Sequence, residues 1–154
     1  KDILTGLLNR RGFIQQSPHQ LANICFHKQH AGLLFIDIDH LKTINDQYGH
    51  AMGDKLISAL AAMIKQTLSD DDLVARFAGD EFVAIVSAKS RQSLFSKLNT
   101  LRKKINGNED FNGIPLSATV GFEQVDSTHP LCLDTLIHRA DTDMYHQRQI
   151  KRCS

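Results

Sequence analysis

The stretch "LVARFAGDEFVAIV" (residues 73–86) decides how this chain is expected to fold. Two runs of five to six β-prone residues flank an Ala-Gly-Asp segment. Glycine supplies backbone conformations that other residues avoid, so the pattern predicts a β-hairpin. The acids Asp80 and Glu81 then lie at or beside its turn. A lone Asp-Glu pair in a turn is usually solvated, so the pair alone indicates no function.

A second acidic position follows the apolar run in "AGLLFIDID" (residues 31–39). Such a run predicts a strand buried on both faces, with Asp37 and Asp39 on one face near its end. If this strand neighbours the hairpin, these two acids meet Asp80 and Glu81 at one end of a sheet. Four carboxylates repel one another unless a cation lies between them. The pattern therefore predicts a site for Mg²⁺ or Mn²⁺ and a phosphate-bearing nucleotide.

Helices are predicted between these strands. The helical spacing over residues 9–28 is interrupted by Ser17-Pro18, which we expect to break or restart the helix. Asp39 is expected to cap the helix that follows it. The remaining predicted elements are a short helix at 40–46, a break at 48–50, a helix at 51–68, a helix at 90–105, an Asn- and Gly-rich loop, a strand at 114–125 and a helix at 133–149. This order predicts an α+β fold with a mainly antiparallel central sheet flanked by helices.

Composition limits the class of protein. The 154 residues are 42% apolar, which predicts a single domain over residues 1–154. With 18 basic and 17 acidic residues the net charge is +1, so we expect no nucleic-acid partner and no membrane contact by this segment. Three widely spaced cysteines argue against a disulfide framework and indicate a cytoplasmic setting. The chain opens without Met, so we expect it to be the C-terminal part of a longer regulated protein, whose membrane anchoring stays open.

Two longer blocks resemble a known family. "FIDIDHLKTINDQYGHAMGD" (35–54) and "ARFAGDEF" (75–82) resemble the signatures of the GGDEF family, the diguanylate cyclases that join two GTP molecules into cyclic di-GMP. "LTGLLNRRGF" (4–13), "SATVGF" (117–122) and "ADTDMYHQR" (140–148) resemble the family's start, fourth strand and final helix. The resemblance spans nearly the whole chain and implies the ferredoxin-like palm architecture of nucleotide cyclases.

The resemblance also implies roles for individual residues. The side chains of Asp37 and Asp80, with the carbonyl of Ile38, would bind the metal. Glu81 would be a further metal ligand or the base that deprotonates the attacking 3′-hydroxyl. Asn45 and Asp54 would read the guanine edge, which makes GTP the expected substrate.

Phosphate binding is the remaining implied role. The backbone N–H groups that open the helix after Asp39 would hold the terminal phosphates, as helix N-termini do. On the last helix, Arg148 and Arg152 lie four residues apart and match a family Lys and Arg that contact phosphate. A solvated basic helix end is the open alternative. The other positions implied in substrate binding are His40, Leu41, Lys42 and Gly79.

The implied reaction is attack of the 3′-oxygen of one GTP on the α-phosphate of another, with loss of pyrophosphate. Each domain would contribute one nucleotide, so a homodimer about a two-fold axis is expected and a monomer should be inactive.

The chain departs from the family pattern at three places. Ala78 stands where the signature has its first Gly, and the added methyl group is expected to leave turnover reduced or normal. The inhibitory R-x-x-D motif falls on "SDDD" (69–72), where Ser69 replaces Arg and Asp72 remains, so no inhibitory site is expected. That acidic run is predicted to be a solvated loop. The G-R-N ending reads "KRC" (151–153), so the family's terminal strand is expected to be missing or reshaped.

Two alternatives stay open. A catalytically silent module that binds GTP and regulates a neighbouring domain is favoured by Ala78 and opposed by the retained acids and the guanine-reading pair. Another nucleotide cyclase, or a polymerase-like palm with a similar metal site, would be distinguished by the base selectivity of Asn45 and Asp54.

Overall fold

A computed structural model describes residues 1–107, 113, 114, 116–126, 128 and 131–153. The predicted Asn- and Gly-rich loop lies mostly outside the described residues. The described part of the chain forms five helices and four strands. They are α1 (Arg10–Phe26), β1 (His30–Ile38), α2 (Leu41–Tyr48), α3 (His50–Thr67), β2 (Leu73–Ala78), β3 (Glu81–Ala88), α4 (Arg91–Asn106), β4 (Ala118–Val125) and α5 (Leu133–Cys153).

The four strands form one sheet in the order β2-β3-β1-β4, and every neighbouring pair is antiparallel. The predicted α+β fold and the hairpin are therefore confirmed. β1 lies in the interior of the sheet and is buried along most of its length, as its apolar run predicts. Its register places Asp37 opposite Glu81 of β3.

Hydrophobic cores cover both faces of the sheet. One core packs Leu34 and Ile36 of β1 against residues of α3 and α4, such as Leu60 and Leu98. The other packs the alternate β1 positions, such as Leu33, against α1 and α5. Alternating side chains of one buried strand thus join both helical layers to the sheet.

The last helix packs very closely on the sheet. A side chain at Gly121 of β4 would collide with the backbone of α5 at Ala140 and Met144, so glycine allows this approach. α5 continues to Cys153, beyond the predicted end at residue 149. Helix therefore occupies the segment in which the family's terminal strand was expected to be missing or reshaped.

The predicted break at Ser17-Pro18 is wrong, because α1 runs through Pro18 without interruption. Proline removes one backbone donor, and the acceptor that loses it is the carbonyl of Ile14, a residue on the exposed side of the helix. Ser17 also donates its hydroxyl to the Phe13 carbonyl, a side-chain hydrogen bond within the helix directly before the proline. Phe13 and Ile24 are buried on either side of the proline and hold both halves of α1 in place.

The predicted N-cap of α2 is also wrong. His40 occupies that position in the left-handed conformation, with φ 61° and no side-chain capping hydrogen bond. The Asp39 side chain instead contacts groups on β4 and α5. Among the described helices none is long and apolar enough to cross a membrane.

Candidate functional site

Three of the predicted acids meet where β1 ends beside the hairpin turn. The antiparallel register places Asp37 directly across from Glu81. The backbone N–H of Ile38 donates to the Asp80 carbonyl at 3.2 Å, which ties the turn to the end of β1. The sheet therefore brings together carboxylates that lie more than 40 residues apart in sequence.

The surroundings of Asp37 disfavour the charged form of its carboxyl group. Its side chain is 15% exposed, and its Oδ1 atom is buried without a hydrogen-bond partner in the described structure. Burial raises the pKa of Asp37 to about 8; a hydrogen bond with Asp80 and the charges of Asp80 and Glu81 act in the same direction, while Arg148 opposes them. Asp37 is thus a carboxylate that gains from a cation beside it.

Glu81 has a related environment. Burial raises the pKa of its carboxyl group, and the charges of Asp80 and Asp141 add to this effect, while Arg10 opposes it. A raised pKa brings a carboxylate closer to the range in which it can accept a proton near neutral pH. Asp141 and Arg10 belong to motifs that carried the resemblance, but sequence reasoning gave them no role.

The predicted four-acid cluster needs correction because Asp39 does not join it. Arg148 donates to Asp39 Oδ1 at 3.1 and 3.0 Å, and Lys151 donates to Oδ2 at 2.9 Å. The hydroxyl groups of Ser117 and Thr119 donate to the same carboxylate at 2.6 and 2.7 Å. Burial alone would raise the pKa of Asp39, but the hydrogen bonds from Lys151, Ser117 and Thr119 and the charge of Lys151 lower it to about 2.

The remaining acids fit a divalent cation of the Mg²⁺ type. Within the described ranges, no three His, Cys, Asp or Glu side chains form a ready-made metal cage. Mg²⁺ does not require one, since it is usually bound by one or two carboxylates together with water and substrate phosphates. Asp37 and Asp80, with the unpartnered Asp37 Oδ1, provide that smaller donor set.

A polar cavity of about 290 Å³ opens beside these acids. Arg148 connects the two features, because its guanidinium group lies 3.6 Å from Asp37 Oδ2 and also contacts Asp39. The structure thus brings both predicted α5 arginines to one cavity. Its lining residues are Asp39, His40, Ser117, Arg148, Lys151 and Arg152.

Asn45 and Asp54 come together at the packing of α2 on α3. Asn45 Oδ1 is buried without a hydrogen-bond partner in the described structure and lies against Gly53, where a Cβ atom would collide with it. Asp54 is the next residue along α3 and is exposed. An unpaired amide oxygen and an exposed carboxylate are suited to a ligand that carries donors. Lys42 is exposed in the first turn of α2.

The hairpin turn accommodates Ala78 without backbone strain. Lys28 and His40 are the non-glycine residues with positive φ in the described structure, so Ala78 is not in the region that favours glycine. Arg76 donates to the carbonyl groups of Ala78 and Gly79 at 3.2–3.3 Å. Arg76 also pairs with Asp2 at 3.2 Å. The methyl group therefore leaves the conformation of the turn intact.

The prediction of a solvated loop at residues 70–72 is wrong for Asp72. Its side chain is fully buried and pairs with Lys97 at 2.7 Å. The backbone N–H groups of Ser69 and Ser87 donate to the same carboxylate at 2.9 and 3.1 Å. Asp70 and Asp71 are exposed, as predicted. Lys97 and Ser87 lie 25 and 15 residues from Asp72 in sequence, so the local acidic run gave no sign of these partners.

Comparison with known proteins gives consistent matches. A family model described as "Diguanylate cyclase, GGDEF domain" matches residues 1–154. Over 98% of its length the chain is 33% identical to diguanylate cyclase DgcP of Pseudomonas aeruginosa. Over 96% it is 32% identical to diguanylate cyclase DgcM of Escherichia coli. The chain spans 23% and 35% of the length of these two relatives.

Solved structures agree with this result. The GGDEF domain of Pseudomonas aeruginosa TpbB, also called YfiN, superposes with a TM-score of 0.85 at 31% identity, covering 96% of this chain and 88% of that chain. The GGDEF domain of Caulobacter crescentus DgcB, solved with cyclic di-GMP, has a TM-score of 0.83 at 24% identity, covering 97% of this chain and 87% of that chain. The second match supports the fold alone.

Proposed function

Because this chain belongs to the GGDEF domain family of diguanylate cyclases, we propose that it condenses two GTP molecules into cyclic di-GMP and pyrophosphate with Mg²⁺ or Mn²⁺. The observation that carries this proposal is the buried, unpartnered Oδ1 of Asp37 beside Asp80 and Glu81. A protein gains nothing in stability from such an arrangement, since each buried acid raises the cost of ionising the next. A bound divalent cation removes that cost.

In this proposal, Asp37 and Asp80 hold the metal, with the Ile38 carbonyl beside them. The ion supplies charge neutralisation on the phosphates and the developing oxyanion. Glu81 lies opposite Asp37 on the neighbouring strand. It accepts the proton of the attacking 3′-hydroxyl or serves as a further metal ligand. Its raised pKa favours the role of a base near neutral pH.

The guanine base would lie against α2 and α3. Asp54 accepts hydrogen bonds from the ring N–H and the exocyclic amine, and Asn45 contacts the remaining polar edge. Adenine presents no such donor pair, so Asp54→Ser should lower the selectivity for GTP over ATP by roughly tenfold or more. The measurement is the ratio of kcat/KM values for the two nucleotides. An unchanged ratio would remove Asp54 from base recognition.

The triphosphate would lie between the metal acids and the cavity under α5. Arg148 and Arg152 provide positive charge on one face of the helix, and Lys42 adds charge at the start of α2. The backbone N–H groups that follow His40 face phosphate oxygens in the same proposal. Gly79 lets the turn approach the nucleotide, since nothing lies within 4 Å of the place where its side chain would be.

A two-fold dimer would complete the active centre. The 3′-hydroxyl of one GTP must face the α-phosphate of the other, so two domains, each with one nucleotide, face each other across the axis. The relatives are several times longer than this chain, and we infer that an attached regulatory domain controls this pairing in the cytoplasm. The isolated domain should therefore gain activity with concentration.

Product inhibition through residues 69–72 should be absent. Ser69 offers no guanidinium group, and Asp72 is already engaged by Lys97 and by two backbone N–H groups. Cyclic di-GMP added at the concentration formed in the assay should leave the initial rate unchanged.

A second candidate function is silent binding of GTP. Arg148 is paired with both Asp37 and Asp39, so a cation proposed for the phosphates already has carboxylate partners. One relative that is 43% identical over 84 residues is named a cyclic di-GMP phosphodiesterase, and the matched segment is 11% of that protein. These two observations favour a role in which the chain binds GTP without turning it over.

The experiment that separates these functions is product analysis. Concentrated purified domain is incubated with GTP and Mg²⁺, and cyclic di-GMP and pyrophosphate are quantified by chromatography. Glu81→Ala should abolish product, whereas Asp46→Ala, which removes an exposed acid on α2, should not. No product from a domain that binds GTP, even when fused to a dimerising coiled coil, would favour the silent function.

A further inference from the structure

Lys151 lies at the centre of a dense hydrogen-bonding site at the end of α5. Its ammonium group is 2.9 Å from Asp39 Oδ2, 2.7 Å from the Ala118 carbonyl and 3.1 Å from Asn106 Oδ1. The hydroxyl groups of Ser117 and Thr119 lie at 3.3 Å. One side chain therefore joins the last turn of α5 to α4, to β4 and to the segment that follows β1.

These contacts leave Lys151 no donor for a substrate. An ammonium group has three N–H bonds, and more than three protein oxygens already surround this one. Lys151 lines the cavity together with Arg152, its neighbour in sequence, but its donors are already directed at protein oxygens. Any effect of Lys151 on a nucleotide must pass through the groups that it holds.

Asp39, which Lys151 contacts, and Arg148, which shares Asp39 with Lys151, both line the proposed phosphate cavity. Asp39 directly precedes His40, whose left-handed backbone begins α2. Arg148 shares Asp39 with Lys151 and also lies 3.6 Å from Asp37. Arg148 and Lys151 are the basic side chains described in contact with the Asp39 carboxylate. Without the charge of Lys151, Asp39 would attract Arg148 more strongly. Arg148 would then be less able to turn to a phosphate.

We propose that Lys151 is a positioning residue for the terminal phosphates of GTP. It neutralises Asp39, so that Arg148 can turn to the phosphates, and it anchors the last turn of α5, so that Arg152 faces the cavity. The inference rests on the proposed nucleotide site and names a residue that stands where the family signature has Gly. It predicts an effect on the phosphate end of the ligand and none on the guanine end.

The test compares binding of GTP and GMP, because GMP lacks the β- and γ-phosphates. Lys151→Met keeps the length of the side chain and removes its charge. Calorimetric titration with Mg²⁺ should show GTP binding weakened roughly tenfold, the size of one charge-assisted interaction, with GMP binding changed less than about twofold. Lys65→Met, an exposed change on α3, should alter neither. Lys151→Arg should recover most of the GTP affinity because it restores the charge.

Kinetics provide a second readout. In a variant that turns over, KM for GTP should rise roughly tenfold while kcat changes less than about threefold. If Lys151→Met does not give folded protein, Lys151→Gln replaces it, since it keeps an N–H donor for the Ala118 carbonyl without the charge.

The outcomes separate the two proposals. Loss of GTP affinity with GMP retained supports the role of Lys151 even if the wild type forms no cyclic di-GMP, which would overturn only the proposed catalysis. Unchanged GTP affinity in an active domain overturns the role of Lys151. Equal losses for GTP and GMP, or a wild type that binds neither nucleotide, overturn it as well.

Discussion

Replacement of Asp37 by Asn should stabilise the metal-free protein at neutral pH while removing its response to Mg²⁺. The carboxyl group is 15% exposed and its Oδ1 has no hydrogen-bond partner in the described structure. Burial and the nearby acids raise the pKa of Asp37 from 3.8 to about 8. Asn keeps the shape of the side chain and cannot ionise, so the cost of the charge disappears.

The direction of the pH effect follows from proton binding. Between about pH 4 and pH 8 the folded protein keeps a proton on Asp37 that the unfolded chain has lost. The free energy of unfolding therefore falls as pH rises through this window and is highest below it. The full change corresponds to an upper bound on the order of 5 kcal/mol, at roughly 1.4 kcal/mol per pH unit. Partial solvent screening of this group reduces the expected effect to about 2 kcal/mol.

Urea unfolding at pH 5 and pH 8 measures this effect. With a chelator present, the free energy of unfolding of the wild type should fall by about 2 kcal/mol relative to that of Asp37→Asn as the pH rises from 5 to 8. Mg²⁺ at tenfold its dissociation constant should raise the free energy of unfolding of the wild type by about 1.4 kcal/mol and leave that of the variant unchanged. Asp46→Asn, an exposed change on α2, should behave as wild type. Parallel pH profiles for wild type and Asp37→Asn, with equal Mg²⁺ effects, would refute the account of this acid.

Three further substitutions test separate parts of the structure. Gly53→Ala places a methyl group against Asn45 and should weaken GTP binding at least about fivefold by titration, and unchanged binding would place guanine elsewhere. Ala78→Gly should change the rate of cyclic di-GMP formation less than about threefold, because the turn has no positive φ at that residue, whereas a large gain would show that the methyl group obstructs catalysis. Lys97→Met leaves Asp72 buried without its cation and should lower the free energy of unfolding by about 2–3 kcal/mol, and a loss under about 1 kcal/mol would mean that the pair contributes little.

Local patterns in the sequence predicted most of the fold. The apolar run of β1, the β-prone runs around Gly79 and the spacing in α3 each encode one element, and antiparallel pairing of β1 with the hairpin brings Asp37 to Glu81. The acids and the proposed guanine-binding pair, Asn45 and Asp54, could be picked out from the sequence because each lies in a contiguous motif. The structure gives Ala78 an ordinary backbone conformation, which sequence reasoning had left open.

The errors involve interactions between distant parts of the chain. Asp39 was assigned to a helix cap and to the acid cluster, but Lys151, 112 residues away, binds it. Asp72 was assigned to solvent, but Lys97 on α4 buries it. Pro18 was expected to break α1, but core contacts on either side of it hold the helix together, and the carbonyl that loses its donor lies on the exposed side. No local pattern specifies such partners, since they depend on the packing of the whole domain.

The most direct test of the metal site is titration of Mn²⁺ in the presence of GTP, followed by electron paramagnetic resonance of the free ion. Asp37, Asp80 and the phosphates should hold Mn²⁺ together, so Asp37→Asn should weaken nucleotide-dependent binding of Mn²⁺ at least about tenfold, while Asp46→Asn should not change it. Equal affinity in the wild type and Asp37→Asn would show that the acids at the end of β1 do not hold the metal against GTP.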